Sequence, residues 1–159
     1  MADLVTLPHR WRPFGARLAA VAGAVALTLA VTFLWLMLSD EVRAKFTVFQ
    51  RLSLLGVLAA VLALLNGIFR TSALAEASGL TVTNGYKVRR YEWAEVVRVS
   101  LHRNRPWALL DLSDGNTLAV MAIQVSDGQR ARLAARELAL VMADRSATPD
   151  SDGVHREDR

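Results

Sequence analysis

The sequence predicts an α+β protein, with a pair of long apolar helices followed by antiparallel strands that one amphipathic helix closes. Three observations predict it. Leu18–Leu38 and Leu52–Phe69 carry no charged residue at all. Beyond Arg70 the pattern changes to a two-residue alternation punctuated by Asn-Gly and Asp-Gly pairs. A three- and four-residue apolar repeat then runs from Ala131 to Met142. Composition agrees: 53% of the 159 residues are apolar and 21% charged, yet mean hydropathy is +0.26, so the apolar residues must be concentrated. There is no cysteine, which excludes a disulfide framework, a thiolate nucleophile and Cys-based metal or iron–sulfur sites.

The first run spans ~31 Å as a helix and the second ~27 Å, each about one hydrocarbon core. Thr28 and Thr32 are the only polar residues of the first, and a helix accommodates their hydroxyls on its own carbonyls. Neither run has the polar stripe of a surface helix. The first is too long for a signal-peptide core, and Ser39-Asp40-Glu41 after it is no cleavage site. Trp11 and Trp35 flank it as expected of interfacial anchors. Small residues at four-residue steps, Ala16, Ala20 and Ala24 on one helix and Ala59, Ala63 and Gly67 on the other, predict a close-packed hairpin. Asn66 is expected to bond across to the first helix.

The implied segments are 1–17, a basic N-terminus; 18–38 and 52–69, two spanning helices; 39–51, an external loop; 70–145, a folded domain; and 146–159, a disordered polar tail. Basic residues cluster on the side of both termini: Arg10, Arg12, Arg17, Arg70, Lys87, Arg89 and Arg90. The intervening loop has Arg43, Lys45 and Arg51. That excess predicts cytoplasmic termini and a cytoplasmic domain on an inner or plasma membrane. Arginine far outnumbers lysine and Ala and Leu abound, a composition typical of a GC-rich bacterium.

In the domain, Gly79-Leu-Thr-Val-Thr-Asn-Gly85 alternates and then turns at Asn84-Gly85, with Tyr86–Tyr91 as the return strand. Val97, Val99 and Leu101 alternate with Arg98, Ser100 and His102, predicting one buried and one wet face. Trp107–Leu112 and Thr117–Ile123 flank a second turn at Ser113–Asn116. Ser126 and Gln129 fit a capping box that opens the last helix, with Asp127 at its positive end.

The stretch Gly79-Leu-Thr-Val-Thr-Asn-Gly, then Arg89-Arg-Tyr-Glu-Trp93-Ala-Glu-Val-Val97, then Asp111-Leu-Ser-Asp-Gly115 and the closing helix resembles bacterial pleckstrin-homology-like (PH-like) domains. With two helices ahead of the domain, it is similar to a group of actinobacterial membrane proteins that includes the mycobacterial low-molecular-weight culture-filtrate antigen family. The resemblance covers roughly residues 12–145. It implies a small PH-like antiparallel barrel or sheet and membrane residence, and it implies no activity.

Candidate sites are few. Lys87, Arg89, Arg90, Arg98, Arg103 and Arg105 form a basic set. One reading is an anionic-lipid or partner surface, since a juxtamembrane cation gains about 1 kcal/mol from an anionic leaflet. The plainer and preferred reading is a solvated face, partly neutralised by Glu92, Glu95 and Asp111 beside it, because a covalently tethered domain needs no lipid affinity to stay at the membrane. The charge balance of the domain is too even for a nucleic-acid footprint. Trp93 and Trp107 are expected as core plugs. His9, His102 and His155 have no ligand partner at metal spacing. No nucleophile–base–orienter set and no phosphate loop can be assembled, and no charge lies within either span. The expectation is a non-enzymatic binding or scaffolding module, without cofactor or metal, that uses a protein partner. The alternatives are a lipid-headgroup sensor built on Lys87, Arg89 and Arg90, or an accessory subunit of a larger membrane complex.

Overall fold

The structure, a computed structural model, describes residues 5–146. The expected polar tail after Ser146, with His155, lies outside the described residues. The order of elements is β1 (His9–Trp11), α1 (Phe14–Met37), α2 (Asp40–Lys45), α3 (Val48–Arg70), β2 (Ser72–Glu76), β3 (Gly79–Asn84), β4 (Lys87–Tyr91), β5 (Val96–Ser100), β6 (Trp107–Leu112), β7 (Thr117–Gln124) and α4 (Gln129–Ser146).

Helices α1 and α3 are both long and apolar enough to cross a membrane. They pack against each other as a hairpin. Thr28 bonds back to the Ala24 carbonyl at 2.8 Å, as its place in an apolar helix demands. The connection between them is more ordered than a plain loop. Ser39 Oγ accepts from the Val42 amide at α2, whose acidic first turn and basic last turn suit the helix dipole. Thr47 and Gln50 then form a reciprocal capping box at α3.

The expected pair of small-residue stripes is half right. On α1, Ala20 is buried and Ala16, Gly23 and Ala24 are partly buried, with Leu27 continuing the same face. On α3 the partly buried residues are Leu58, Val61, Leu62 and Leu65. A side chain at Gly23 would meet Leu65 Cδ1 at 3.9 Å. Small residues on one helix thus receive larger side chains from the other, and only one side needs them. Ala59 and Ala63 are exposed, and the Gly67 end of that stripe faces the folded domain.

The domain has two antiparallel sheets, β1-β2-β3-β4 and β5-β6-β7, with α4 packed on β5 and β7. Strand β1 precedes both long helices and pairs with β2, Trp11 opposite Ala73. The segment read from sequence as a basic N-terminal extension therefore supplies an edge strand. Trp11, expected at the membrane interface, is 5% exposed in the domain core instead. Its indole Nε1 donates to Glu137 on α4 at 2.8 Å. The burial of a large ring beside Ala73 and Ala75 outweighs an interfacial position.

Leu80, Val82, Leu110, Val120, Ile123 and Leu138 fill the space between the sheets and α4. Trp93 is a core plug, as expected, with Nε1 donating to the Glu76 carbonyl at 3.1 Å. Trp107 is not; it is only half-buried, at a register shift between Trp107 and Ala108. A second shift, between Val96 and Arg98, breaks the expected alternation of β5 at Val97: Val96 is buried and Val97 is 64% exposed, while Val99 and Leu101 pack against the core and Arg98 and His102 are exposed, as expected. A bulge adds one residue, and one residue exchanges the faces.

The C-terminal helix also begins differently. Val125–Asp127 form a 3₁₀ turn, Gly128 takes φ +61°, and α4 starts at Gln129. Ser126 Oγ lies 3.5 Å from Gln124 Oε1, so no Ser126–Gln129 box forms. The stripe itself holds: Ala131, Leu138, Val141 and Met142 are buried.

Candidate functional site

The geometry is most specific where the domain meets the two long helices. Helix α1 follows Pro13, whose side chain offers no acceptor to the first amides. Asp127, from the turn before α4, supplies acceptors to the first two: Oδ2 takes the Phe14 N–H and Oδ1 the Gly15 N–H, each at 2.9 Å. A carboxylate at the positive end of a helix is also favoured electrostatically. Gly15 leaves room for it, since a side-chain carbon there would stand 2.9 Å from Asp127 Oδ1. The sequence assigned Asp127 to α4; its acceptors serve α1.

The end of α3 is held by the β3–β4 hairpin. Gly85 (φ +65°) and Tyr86 form the two-residue loop, and Asn84 pairs with Lys87 as the last strand residue. Tyr86 Oη donates to the Ala63 carbonyl at 2.6 Å, with Asn66 Oδ1 3.3 Å away. Asn66 therefore meets the domain rather than α1. The Tyr86 ring lies against Gly67, where a side-chain carbon would come within 3.0 Å of Cε2. Arg70 covers the same ring at 5.5 Å. Thr71, 4% exposed, bonds the Gly67 carbonyl and accepts from the Gly85 amide. Only Thr71 separates α3 from β2, so no flexible linker intervenes.

Asn84 makes a third joint, inside the domain. Its side-chain Nδ2 donates to the Ala119 carbonyl at 2.6 Å and its Oδ1 accepts from the Met121 amide at 3.1 Å. The first sheet is thereby stitched to β7 of the second.

The basic set read from sequence does not converge. Lys87, Arg89 and Arg90 lie on β4, an edge strand whose first four residues are all exposed. Register divides them: Arg89 is opposite Val82, on the inner face of the sheet, and Arg90 is opposite Thr81 on the outer face. Arg98 is exposed on β5, the edge of the other sheet, and Arg103 and Arg105 are exposed in the β5–β6 loop. Two apolar residues, Val88 and Val97, 55% and 64% exposed, stand among them. The set amounts to two open strand edges carrying cations and valines.

His9 tilts on Trp11 with ring centroids 4.7 Å apart, and its Nε2 is 3.8 Å from Glu137. Among the described residues no group of three His, Cys, Asp or Glu could hold a metal. At the β6–β7 turn, bonds from the Asn116 amide and side chain hold the exposed Asp114 carboxyl below its usual range; this is turn chemistry.

Sequence reasoning missed Asp127, Tyr86, Thr71 and Glu137 as contact makers. Each acts across the fold, and no local spacing announces it. The family profile described as bacterial PH domain matches residues 70–140. Two uncharacterized proteins, one of Mycobacterium tuberculosis and one of Mycobacterium bovis, are each 36% identical to the chain over 132 residues, covering 81% of this chain and 81% of the relative. An alignment covering that share of the chain necessarily includes the whole of α3. No solved structure matches the chain significantly.

Proposed function

Because the chain belongs to the bacterial PH domain family, we propose that it is a two-span membrane protein that holds its PH-like domain in one fixed orientation at the cytoplasmic face, as a non-enzymatic docking module for a protein partner. The observation that carries this reading is the Asp127 cap on α1. A domain on a loose tether has no use for a carboxylate that closes the end of a membrane helix, whereas a domain that must present one surface at one height does. Tyr86 and Thr71 fix the second helix in the same way.

The excess of cations at the domain end of the hairpin supports a cytoplasmic domain. The proposed contact surface is the pair of open edges, β4 and β5. Unpaired strand edges accept an added strand, exposed Val88 and Val97 offer apolar contact, and Lys87, Arg89, Arg90, Arg98, Arg103 and Arg105 favour an acidic partner.

The chain's lack of cysteine makes the test clean. Asp40→Cys in the α2 segment should react with an impermeant maleimide on intact cells, and Ser113→Cys in the β6–β7 turn should react only after permeabilisation. The reverse pattern overturns the cytoplasmic placement. A photo-crosslinker at Val97 should yield one discrete, competable protein adduct in native membranes. Adducts only to lipid, or equal adducts from a control position at Leu140, would remove the docking reading.

A further inference from the structure

The fold gathers four arginines that the sequence scatters over two distant segments. Arg10, Arg12, Arg17 and Arg70 line one cavity of about 330 Å³. Its floor is the outer face of the first sheet at the helix end, where Ser72, Thr83 and Val88 stand in one cross-strand row. No carboxylate lines it, and none of the four arginines takes part in an ion pair among the described residues. Arg17 stacks on the Phe69 ring at 4.1 Å, and its Nε is buried without a hydrogen-bond partner. Four guanidiniums around one space repel one another unless an anion sits among them, and planar guanidinium forks match phosphate oxygens in particular.

A second cavity, also about 330 Å³, shares Arg12, Arg17 and Phe69 with the first and is otherwise lined by Pro13, Phe14, Leu18 and Val21. From Arg17 to Val21 it descends ~6 Å along α1, about one turn. The two form one amphipathic groove, basic at the domain and apolar along the helix pair.

We propose that this groove binds an anionic phospholipid of the surrounding leaflet, its phosphate among Arg10, Arg12, Arg17 and Arg70 and an acyl chain along Leu18, Val21 and Phe69. The inference rests on the membrane-spanning reading above. It is separate from β4, whose cations stay outside the cavity; of that strand only Val88 lines it. A soluble phosphate would satisfy the arginines but leave the apolar half of the groove unused, which selects the lipid.

The test uses the full chain, delipidated in non-ionic detergent. Phosphatidylglycerol should raise the thermal midpoint in a saturable way, while phosphatidylcholine and millimolar inorganic phosphate should not. Arg17→Gln with Arg70→Gln should weaken the phosphatidylglycerol response at least ten-fold, and Lys87→Gln with Arg89→Gln, on the opposite face of the sheet, should leave it unchanged. Arg12→Gln, at an exposed position, should weaken it in the same direction should the double variant misfold. Equal responses to both lipids, an equal response to free phosphate, or loss only in the β4 variant would overturn the proposal. Carbonate extraction of native membranes separates the two layers. A chain released by carbonate refutes the spanning reading itself; a retained chain without lipid preference refutes this site alone.

Discussion

Phe14 and Gly15 begin a helix whose cap, Asp127, lies 113 and 112 positions away. Removing a side-chain cap costs about 1–2 kcal/mol, more when it is charged. Asp127→Ala should therefore speed hydrogen exchange at the Phe14 and Gly15 amides while exchange near Ala24 stays as it was. Gly15→Ala should do the same from the other partner, because its new side-chain carbon displaces Asp127 Oδ1. The double variant should cost less than the sum of the two, since both break one contact. Equal exchange in all four proteins would show that Asp127 does not cap the helix. Asn84 shows how residue-scale signals can be half read. The Asn-Gly pair correctly marks a hairpin, yet Asn84 is used for its amide, which reaches Ala119 and Met121, and Gly85 alone takes the positive φ. Gly79 is constrained by space: a side-chain carbon there would overlap the Tyr91 carbonyl.

At the scale of elements, β1 is the smallest piece with the largest consequence. Three residues add an edge to the first sheet, and Trp11 among them fills core volume and ties α4 through Glu137. Trp11→Ala should destabilise the domain by about 3–5 kcal/mol, the range for emptying a buried aromatic site, and a small domain has little stability in excess of that. A segment limited to residues 70–146 lacks this strand and ring. Its amide spectrum should be poorly dispersed, while the full chain in detergent gives a folded one; a well-dispersed spectrum from the short segment would show that β1 is dispensable. Strand β4 illustrates the opposite case, an element legible from sequence whose role is not. Its hairpin and cations are visible in Lys87-Val-Arg-Arg90, but pleating sends Arg89 and Arg90 to opposite faces of an edge strand.

For the whole molecule, helices and domain are expected to behave as one body, because their joints, at Asp127, Tyr86 and Thr71, lie in three different connections of the chain. Four Gly-Ser residues inserted between Arg70 and Thr71 should break that unity. Spin labels at Ser53→Cys and Ser113→Cys should give a narrow distance distribution in the unmodified chain and a broad one after insertion. Equal widths would mean that the joints do not hold the domain. The sequence by itself determined the class: two apolar helices, an antiparallel domain and a closing helix, with resemblance to bacterial PH domains. These are written in local periodicity and in turn residues, and each needs only neighbours a few positions away. What tertiary structure decided is everything that depends on distant segments meeting. It made Trp11 a core residue, turned Asp127 toward α1, turned Asn66 toward Tyr86, and gathered Arg10, Arg12, Arg17 and Arg70 around one cavity. A side chain's neighbours across the fold set its burial, and a single bulge, as at Val97, is enough to reverse what alternation alone implies.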